Sequence, residues 1–249
     1  MAYIVSALLL AGAAALASLL LGPELAPPPG AILAAWWDLA RSGALFQELG
    51  LTLLRGAIGL GLANLAGVSL GLAAGSFPTV LRLIAPLTAA MQSCPPVVWV
   101  SLVLVWAGTG STVPVAAVFA AAFPFVFSTT AQGVMGLDQR LLGMSSVYAV
   151  PLLKKMRFLV LPGILPYWLA GFSTVLAAGW KAAAVAEFLG SHQGIGARIF
   201  WSYRRLNMEE LNAWALTLIL LGVLLESALI LPLRRKAAQM QTRGRADHA

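Results

Sequence analysis

The chain has 249 residues, of which 60% are hydrophobic and only 10% are charged, and its mean hydropathy is +0.87. A water-soluble domain carries about 25% charged residues, so too little polar surface is present here to cover a soluble globule. The apolar residues form long unbroken stretches rather than the alternating segments of about ten residues that a membrane β-barrel requires. The sequence therefore predicts an all-α integral membrane protein.

The formal net charge of +7 comes from basic residues that cluster in short polar segments between the apolar stretches. We interpret them as determinants of membrane topology rather than as a nucleic-acid surface. The single cysteine, Cys94, allows neither an internal disulfide nor a CxxC site. His192 and His248 are too far apart to indicate a metal site, and no nucleophile and base are grouped. No catalytic or metal site is predicted.

Six apolar segments reach or nearly reach the length of about 20 residues that a helix needs to cross a bilayer. The sequence therefore predicts six spans, at residues 3–21, 51–75, 84–108, 113–134, 164–189 and 211–231. No Lys or Arg precedes the first segment, so we interpret it as a retained helix, with a cleaved signal peptide as the alternative. The second span is rich in glycine, which lets helix backbones approach closely in lipid.

Proline and polar residues modify this pattern. Residues 31–50 are too polar to span and are predicted to form an interfacial amphipathic helix anchored by Trp36 and Trp37. Prolines divide the third region into a short helix and a span that runs from about Pro95 to Trp106. We also expect a kink near Pro124 in the fourth span and an end to the sixth span at Pro232.

Basic residues set the predicted orientation, because cytoplasmic loops carry an excess of Lys and Arg. With six spans, the termini, the turn at Arg82 and the loop at 137–161 share one side, which holds ten basic residues against four on the other. Both termini are therefore predicted to be cytoplasmic. The predicted divisions are an N-terminal span with its interfacial helix (1–50), a core domain (51–235) and a basic tail (236–249) that anchors to anionic headgroups.

The cytoplasmic loop at 137–161 has apolar residues spaced for two short helices, separated by Pro151. A helical hairpin with an exposed apolar face needs a cover, which either a partner protein or the end of the bundle could supply. The loop ends at Leu161-Pro162. The spacing of its residues resembles a motif of ABC importer permeases, which reads Glu-Ala-Ala, three residues, Gly, nine residues, Ile, one residue, Leu-Pro. The aligned Glu, Ala, Ala, Gly and Ile positions hold Gly143, Met144, Ser145, Ala149 and Leu159.

Three further segments carry the resemblance. The run from Pro95-Pro96 to Trp106-Ala107-Gly108 looks like the family's proline, apolar stretch and Trp-Phe-Gly. Trp180 with Ala186-Glu187 looks like a Trp and Ala-Glu pair in the fifth core helix, and Gly194-Ile195-Gly196 matches the motif that follows it. The similarity covers about residues 51–235 and points to the nitrate, sulfonate and taurine branch of these importers.

The resemblance implies a type I importer fold in a bacterial inner membrane, with two permease copies, identical or paralogous, around a translocation path. A separate ATPase would bind ATP and receive the hairpin, and a periplasmic binding protein would deliver the solute. The chain is not the ATPase, because none of its four lysines follows a glycine as a phosphate-binding loop requires. The candidate ATPase-coupling residues are Leu141, Gly143, Met144, Ser145, Tyr148, Ala149, Leu161 and Pro162.

Lys181 and Glu187 are ionisable residues inside the fifth span, where a charge costs at least about 2.5–3.5 kcal/mol and usually faces a pathway or partner. They lie on different helix faces, so they do not pair locally. We hypothesise that Lys181 faces the translocation path and suits an anionic solute; an ion pair with another helix is the alternative. Glu187, Trp99, Trp106 and Trp180 are further path candidates, with gating or packing as the alternative.

A stand-alone secondary transporter or channel is the alternative function. It would need its own ion-coupling acids and bases, for which only Lys181, Glu187, Arg55 and Glu226 are available. It would have no use for a docking hairpin. A membrane scaffold without transport activity is the third possibility, and it predicts no ATPase partner.

Overall fold

The computed structural model describes residues 24–246 together with Gly12, Leu19 and Gly22, so the predicted first span at 3–21 lies outside the described residues apart from two positions. Within the described part, every regular element is a helix. The helices are Pro29–Arg41 (α1), Ala44–Ser76 (α2), Pro78–Ser93 (α3), Pro96–Ala107 (α4), Thr112–Met135 (α5), Gln139–Val147 (α6), Leu152–Lys155 (α7), Leu161–Gly190 (α8), Ile195–Arg204 (α9), Met208–Leu225 (α10) and Leu231–Ala246 (α11).

Four stretches of helix are long and apolar enough to cross a membrane: Ala44–Ser76, Thr112–Met135, Leu152–Gly190 and Met208–Met240. Helices α3 and α4 qualify only as a pair, and the chain bends by 100° between them. The two prolines at 95 and 96 account for the break, because proline disfavours helical geometry in the residue before it. The predicted span from Pro95 to Trp106 is too short to cross alone, since the 12 residues of α4 rise only about 18 Å.

The packing of α2 on α5 shows that this bent pair is a broken span. A Cβ placed at Gly59 would lie 2.7 Å from Val118, and one placed at Gly71 would lie 2.7 Å from Thr130. The residue numbers rise together along the two helices, so α2 and α5 are parallel. The chain that joins them must return across the bundle through α3 and α4. The described residues therefore make five crossings.

Helix α8 runs antiparallel to α5. Gly133 near the end of α5 lies against Ile164 at the start of α8, and Gly190 at the end of α8 lies against Val113 at the start of α5. We call the end of the bundle where α2 and α5 finish and the 137–161 loop lies the hairpin end. The opposite end, where α8 finishes and α9 packs, is called the network end.

Two π-helical turns, Met156–Val160 and Glu226–Ile230, keep helices continuous through Leu-Pro sequences. Proline lacks an N–H group and its ring crowds the carbonyl four residues earlier. In each wide turn the leucine N–H before the proline donates to a carbonyl five residues back, from Leu161 to Met156 and from Leu231 to Glu226. The helix therefore continues past Pro232.

This continuity corrects two predictions. The sixth span does not end at Pro232, and residues 236–246 of the predicted tail continue its helix as part of α11. The second helix of the predicted hairpin is likewise continuous with the following span, which gives one helix from Leu152 to Gly190.

The predicted interfacial helix at 31–50 was too long. Helix α1 ends at Arg41, and α2 begins at Ala44 and runs without interruption through the predicted boundary at residue 50. Trp36 donates a hydrogen bond to Thr217 in α10 at 3.1 Å, so it ties α1 to the bundle, whereas Trp37 is exposed. The segment is divided at Gly43, whose φ of +77° is left-handed and ends the helical geometry, and the second half carries side chains that pack inside the protein.

Close packing of the glycine-rich helix α2 is confirmed at four of the six glycines that the sequence singled out. Gly59, which is packed, and Gly61, which is not, provide a matched test. A Cβ at Gly59 would meet the Val115 carbonyl oxygen at 2.7 Å, whereas one at Gly61 would meet nothing within 4 Å. Gly59→Ala should lower stability by about 1–3 kcal/mol through overpacking. Gly61→Ala should keep or raise it, because alanine favours the helix. Thermal unfolding in detergent measures both, and equal melting temperatures would contradict the parallel α2–α5 packing.

Candidate functional site

The hairpin end carries a helical hairpin formed by α6, α7 and the turn between them. The helices are separated at Pro151 as predicted, and no residue of either helix is buried. Asp138 caps α6, because its Oδ1 accepts a hydrogen bond from the Arg140 N–H at 2.7 Å. The hairpin thus forms without burying its side chains against the rest of the described chain.

The hairpin carries large apolar side chains that are exposed at its surface. Relative exposures of 74–83% occur at Val147, Tyr148, Leu152 and Leu153. Among the predicted docking residues, Leu141, Met144, Tyr148 and Leu161 are exposed large hydrophobic groups, and Gly143, Ala149 and Pro162 are also exposed, while Ser145 is half-buried. The end of the bundle therefore does not cover the apolar face, and a partner remains as the cover.

Ala149 occupies a strained position in the turn of the hairpin. Its φ of +46° lies in the left-handed region, which is unfavourable for residues with a Cβ. This is the position aligned with the glycine of the permease motif. The alanine therefore keeps the turn that glycine would adopt without cost.

The network end contains a buried ion pair between the two long helices α2 and α8. Arg55 donates to Glu187 Oε1 at 2.9 Å, and both side chains are almost completely inaccessible. Thr52 donates to Glu187 Oε2 at 2.8 Å. Arg55 also donates to the Gln193 carbonyl at 2.6 Å and to the Ser111 hydroxyl at 2.9 Å. One guanidinium group thus joins α2, α8, the loop before α5 and the loop before α9.

A second ion pair lies beside the first and holds the start of α9. Arg198 donates to Glu48 Oε1 at 2.6 Å, and the Gly194 N–H donates to Glu48 Oε2 at 2.5 Å. The next two backbone N–H groups donate to Thr52 and Glu187. Polar side chains of α2 and α8 therefore satisfy the free N–H groups at the start of this helix. Two carboxylates and two guanidinium groups balance the charge of what we call the polar network.

The sequence builds this network from two local patterns. Glu48, Thr52 and Arg55 are spaced by four and three residues, so they share one face of α2. Gly194 has a φ of +104°, and a Cβ there would collide with the Glu187 carboxylate. A Cβ at Gly196 would lie 2.8 Å from the Phe188 backbone nitrogen. The Gly-Ile-Gly motif is thus explained by the close approach of α9 to the end of α8.

The predicted path residues do not form one cluster. Glu187 is fully buried in its ion pair, which agrees with the structural alternative to a path role, and the path role stays a prediction. Trp180 packs on Gly222 of α10, and Lys181 is exposed with its Nζ 5.6 Å from the Trp180 ring. Trp106 is exposed whereas Trp99 is half-buried, so the two side chains differ in their accessibility.

Sequence reasoning missed Glu48 and Thr52 because Glu48 was assigned to an interfacial helix and Thr52 carries no charge. A signal was present: a charged Arg55 inside a span requires a partner, and polar residues one and two turns earlier on the same face mark where the partners gather. Glu187 was singled out correctly as an intramembrane carboxylate, but its partner could not be chosen from sequence alone.

Comparison with known proteins agrees with this architecture. A family model described as "binding-protein-dependent transport system inner membrane component" matches residues 63–233. The taurine transport system permease protein TauC of Escherichia coli (strain K12) is 27% identical over 215 residues, which cover 84% of this chain and 78% of that protein. The putative aliphatic sulfonates transport permease protein SsuC of Bacillus subtilis (strain 168) is 25% identical over 201 residues, covering 81% and 73%.

Among solved structures, the fold is similar to a chain of the MetNI methionine ABC transporter in inward-facing conformations. The TM-score is 0.61 at 18% sequence identity, and the match covers 82% of this chain and 96% of that chain. The similarity supports the helical arrangement that the internal packing gives.

Replacement of one arginine in each ion pair should lower stability more for the buried Arg55–Glu187 pair than for the more accessible Arg198–Glu48 pair. Arg55→Met leaves the buried Glu187 carboxylate unpaired and should cost about 3–5 kcal/mol. Arg198→Met should cost less, because the Arg198 side chain is 39% exposed and water can reach its place. The double variant Arg55→Met/Glu187→Met should recover much of the loss. Thermal unfolding measures all three, and equal small losses for both single variants would contradict the network.

Ala149→Gly should relieve the left-handed turn and stabilise the hairpin by up to about 1 kcal/mol. Ala149→Val is the matched opposite, because a branched side chain tolerates positive φ poorly. Hydrogen–deuterium exchange of the amides of α6 measures the effect. We expect slower exchange for glycine and faster exchange for valine; the reverse order would rule out the strained turn.

Proposed function

The chain belongs to the family of binding-protein-dependent transport system inner membrane components, and from this premise we propose that it is the membrane-spanning subunit of an importer driven by a separate ATPase. The observation that carries the proposal is the hairpin with its uncovered apolar face. A large exposed apolar surface at the aqueous end of a membrane bundle marks an interaction site, and we assign this one to a protein partner. A helix-bearing hairpin of this size fits a groove on a globular subunit.

The proposed partner supplies the ATP chemistry. The sequence has no phosphate-binding loop, so ATP would be bound and hydrolysed on the partner. This chain itself would bind no cofactor. Basic residues at Arg140, Lys154, Lys155 and Arg157 surround the hairpin, which supports a cytoplasmic hairpin end. The polar network would then face the periplasm, where a solute-binding protein would dock.

The proposed solute is a small anion or zwitterion such as an organic sulfonate. The relatives that support this class are described as permeases for taurine and for aliphatic sulfonates. Two copies of this chain, related by a two-fold axis, would enclose the path between them. Movement of the hairpins with the ATPase would alternate access by a rigid-body change between two packed states.

Disruption of the hairpin should remove the ATPase from the purified complex. The chain would be tagged, expressed with its neighbouring genes and purified in mild detergent. The double variant Met144→Asp/Tyr148→Asp places two charges on the apolar face and should abolish co-purification of an ATP-hydrolysing subunit. Leu206→Asp is the control, because Leu206 is 73% exposed, close to the 75% of Tyr148, but lies at the network end.

Purification of the wild-type chain without any ATPase would contradict the proposed function. Equal loss of the ATPase from the hairpin variant and from Leu206→Asp would contradict the placement of the docking surface.

A further inference from the structure

Lys181 lies near the middle of the membrane-crossing part of the bundle. Gly179, two residues before it, packs against Leu60, which is 16 residues from either end of α2. Its direct neighbour, Trp180, packs against Gly222, close to the middle of the helix Met208–Met240. Helices of this length exceed the thickness of the hydrocarbon core, so both contacts fall well inside it.

Within residues 24–240, the ammonium group of Lys181 has no carboxylate counter-ion. Among the described residues, no carboxylate lies within 4 Å of Lys181, and its contact is with the Trp180 ring at 5.6 Å. The side chain is exposed at the surface of the bundle. An unpaired ammonium group that faces lipid at this depth costs at least about 2.5–3.5 kcal/mol, which favours water or a charged partner on this surface of α8.

The residues around Lys181 differ from those on the other exposed faces. Thr174, Ala178, Lys181 and Val185 are exposed and share one face of α8, with small or polar side chains at three of four positions. Two other exposed faces are bulky and wholly apolar, as lipid requires. They comprise Leu54, Ile58, Leu62 and Leu65 on α2, and Ile219, Leu220, Val223 and Leu224 on α10.

We propose that this face of α8 lines the solute path and that Lys181 is the residue that selects negative charge in it. The inference rests on the proposed importer function and deepens it by naming a specificity-determining residue. The two-fold related copy would place a second Lys181 across the path. Together they would favour a small solute with a sulfonate or carboxylate group and disfavour cations.

Charged thiol reagents test the proposal without knowledge of the solute. Ala178→Cys, about one turn from Lys181, would be introduced in a Cys94→Ser background and studied in the assembled complex. Labelling rates would be measured with anionic sulfonatoethyl methanethiosulfonate and cationic trimethylammonioethyl methanethiosulfonate, with and without a non-hydrolysable ATP analogue. Leu62→Cys is the control on a lipid-type face and should react with neither reagent.

We expect the thiol of the Ala178→Cys variant to react in at least one state and to favour the anionic reagent. Lys181→Gln should lower the anionic-to-cationic rate ratio by about tenfold, since a unit charge lies one helical turn away. Lys181→Arg should keep the ratio. The exposed side chain makes no carboxylate contact, so neither variant should disturb folding, which co-purification of the ATPase verifies.

Two results would overturn the proposal, and neither coincides with failure of the importer assignment. No labelling of the Ala178→Cys variant in either state would place this face in lipid. Labelling with a ratio unaffected by Lys181→Gln would leave a water-filled path but remove charge selection by Lys181. In both cases a complex that retains its ATPase would leave the importer function standing.

Discussion

The Arg55–Glu187 ion pair is the interaction on which the arrangement of the network end depends. A carboxylate without any exposed surface in a membrane protein must be neutralised and hydrogen-bonded, and only the convergence of α2, α8 and α9 supplies the partners. The glycines at 194 and 196 are required because the helix start must approach the carboxylate closely. The pair lies near the end of the long helix Leu152–Gly190, whose other end carries the hairpin, so it ties that helix to α2 at the network end.

This network also weighs against a stand-alone ion-coupled transporter. That alternative would need Glu187 and Arg55 to exchange ions with water. Both are instead buried and paired with each other. Glu226, the other acidic candidate, forms an exposed ion pair with Arg234. Three of the four charged groups that the alternative could use are therefore paired, and only Lys181 is not within the described residues, while the exposed apolar hairpin that the importer requires is present.

Composition and spacing were sufficient to predict the helical membrane fold, the glycine contacts and the hairpin with its break at Pro151, whereas the family was predicted from the resemblance of four segments to known permease motifs. The helix end at Pro232 was predicted wrongly. A π-helical turn before Pro232, and another before Pro162, lets the helix continue, and a turn of that kind depends on backbone geometry that sequence does not display. Glu48 was misplaced because a polar stretch of sequence resembles an interfacial helix whether its charges face water or a buried partner.

The central claim is that the hairpin is the surface that receives the ATPase. The most direct measurement is site-specific crosslinking: Tyr148→Cys in a Cys94→Ser background, carrying a thiol-linked benzophenone, irradiated in membranes and analysed by mass spectrometry. We expect crosslinks to an ATP-hydrolysing subunit. Crosslinks confined to lipid or to another copy of this chain would contradict it.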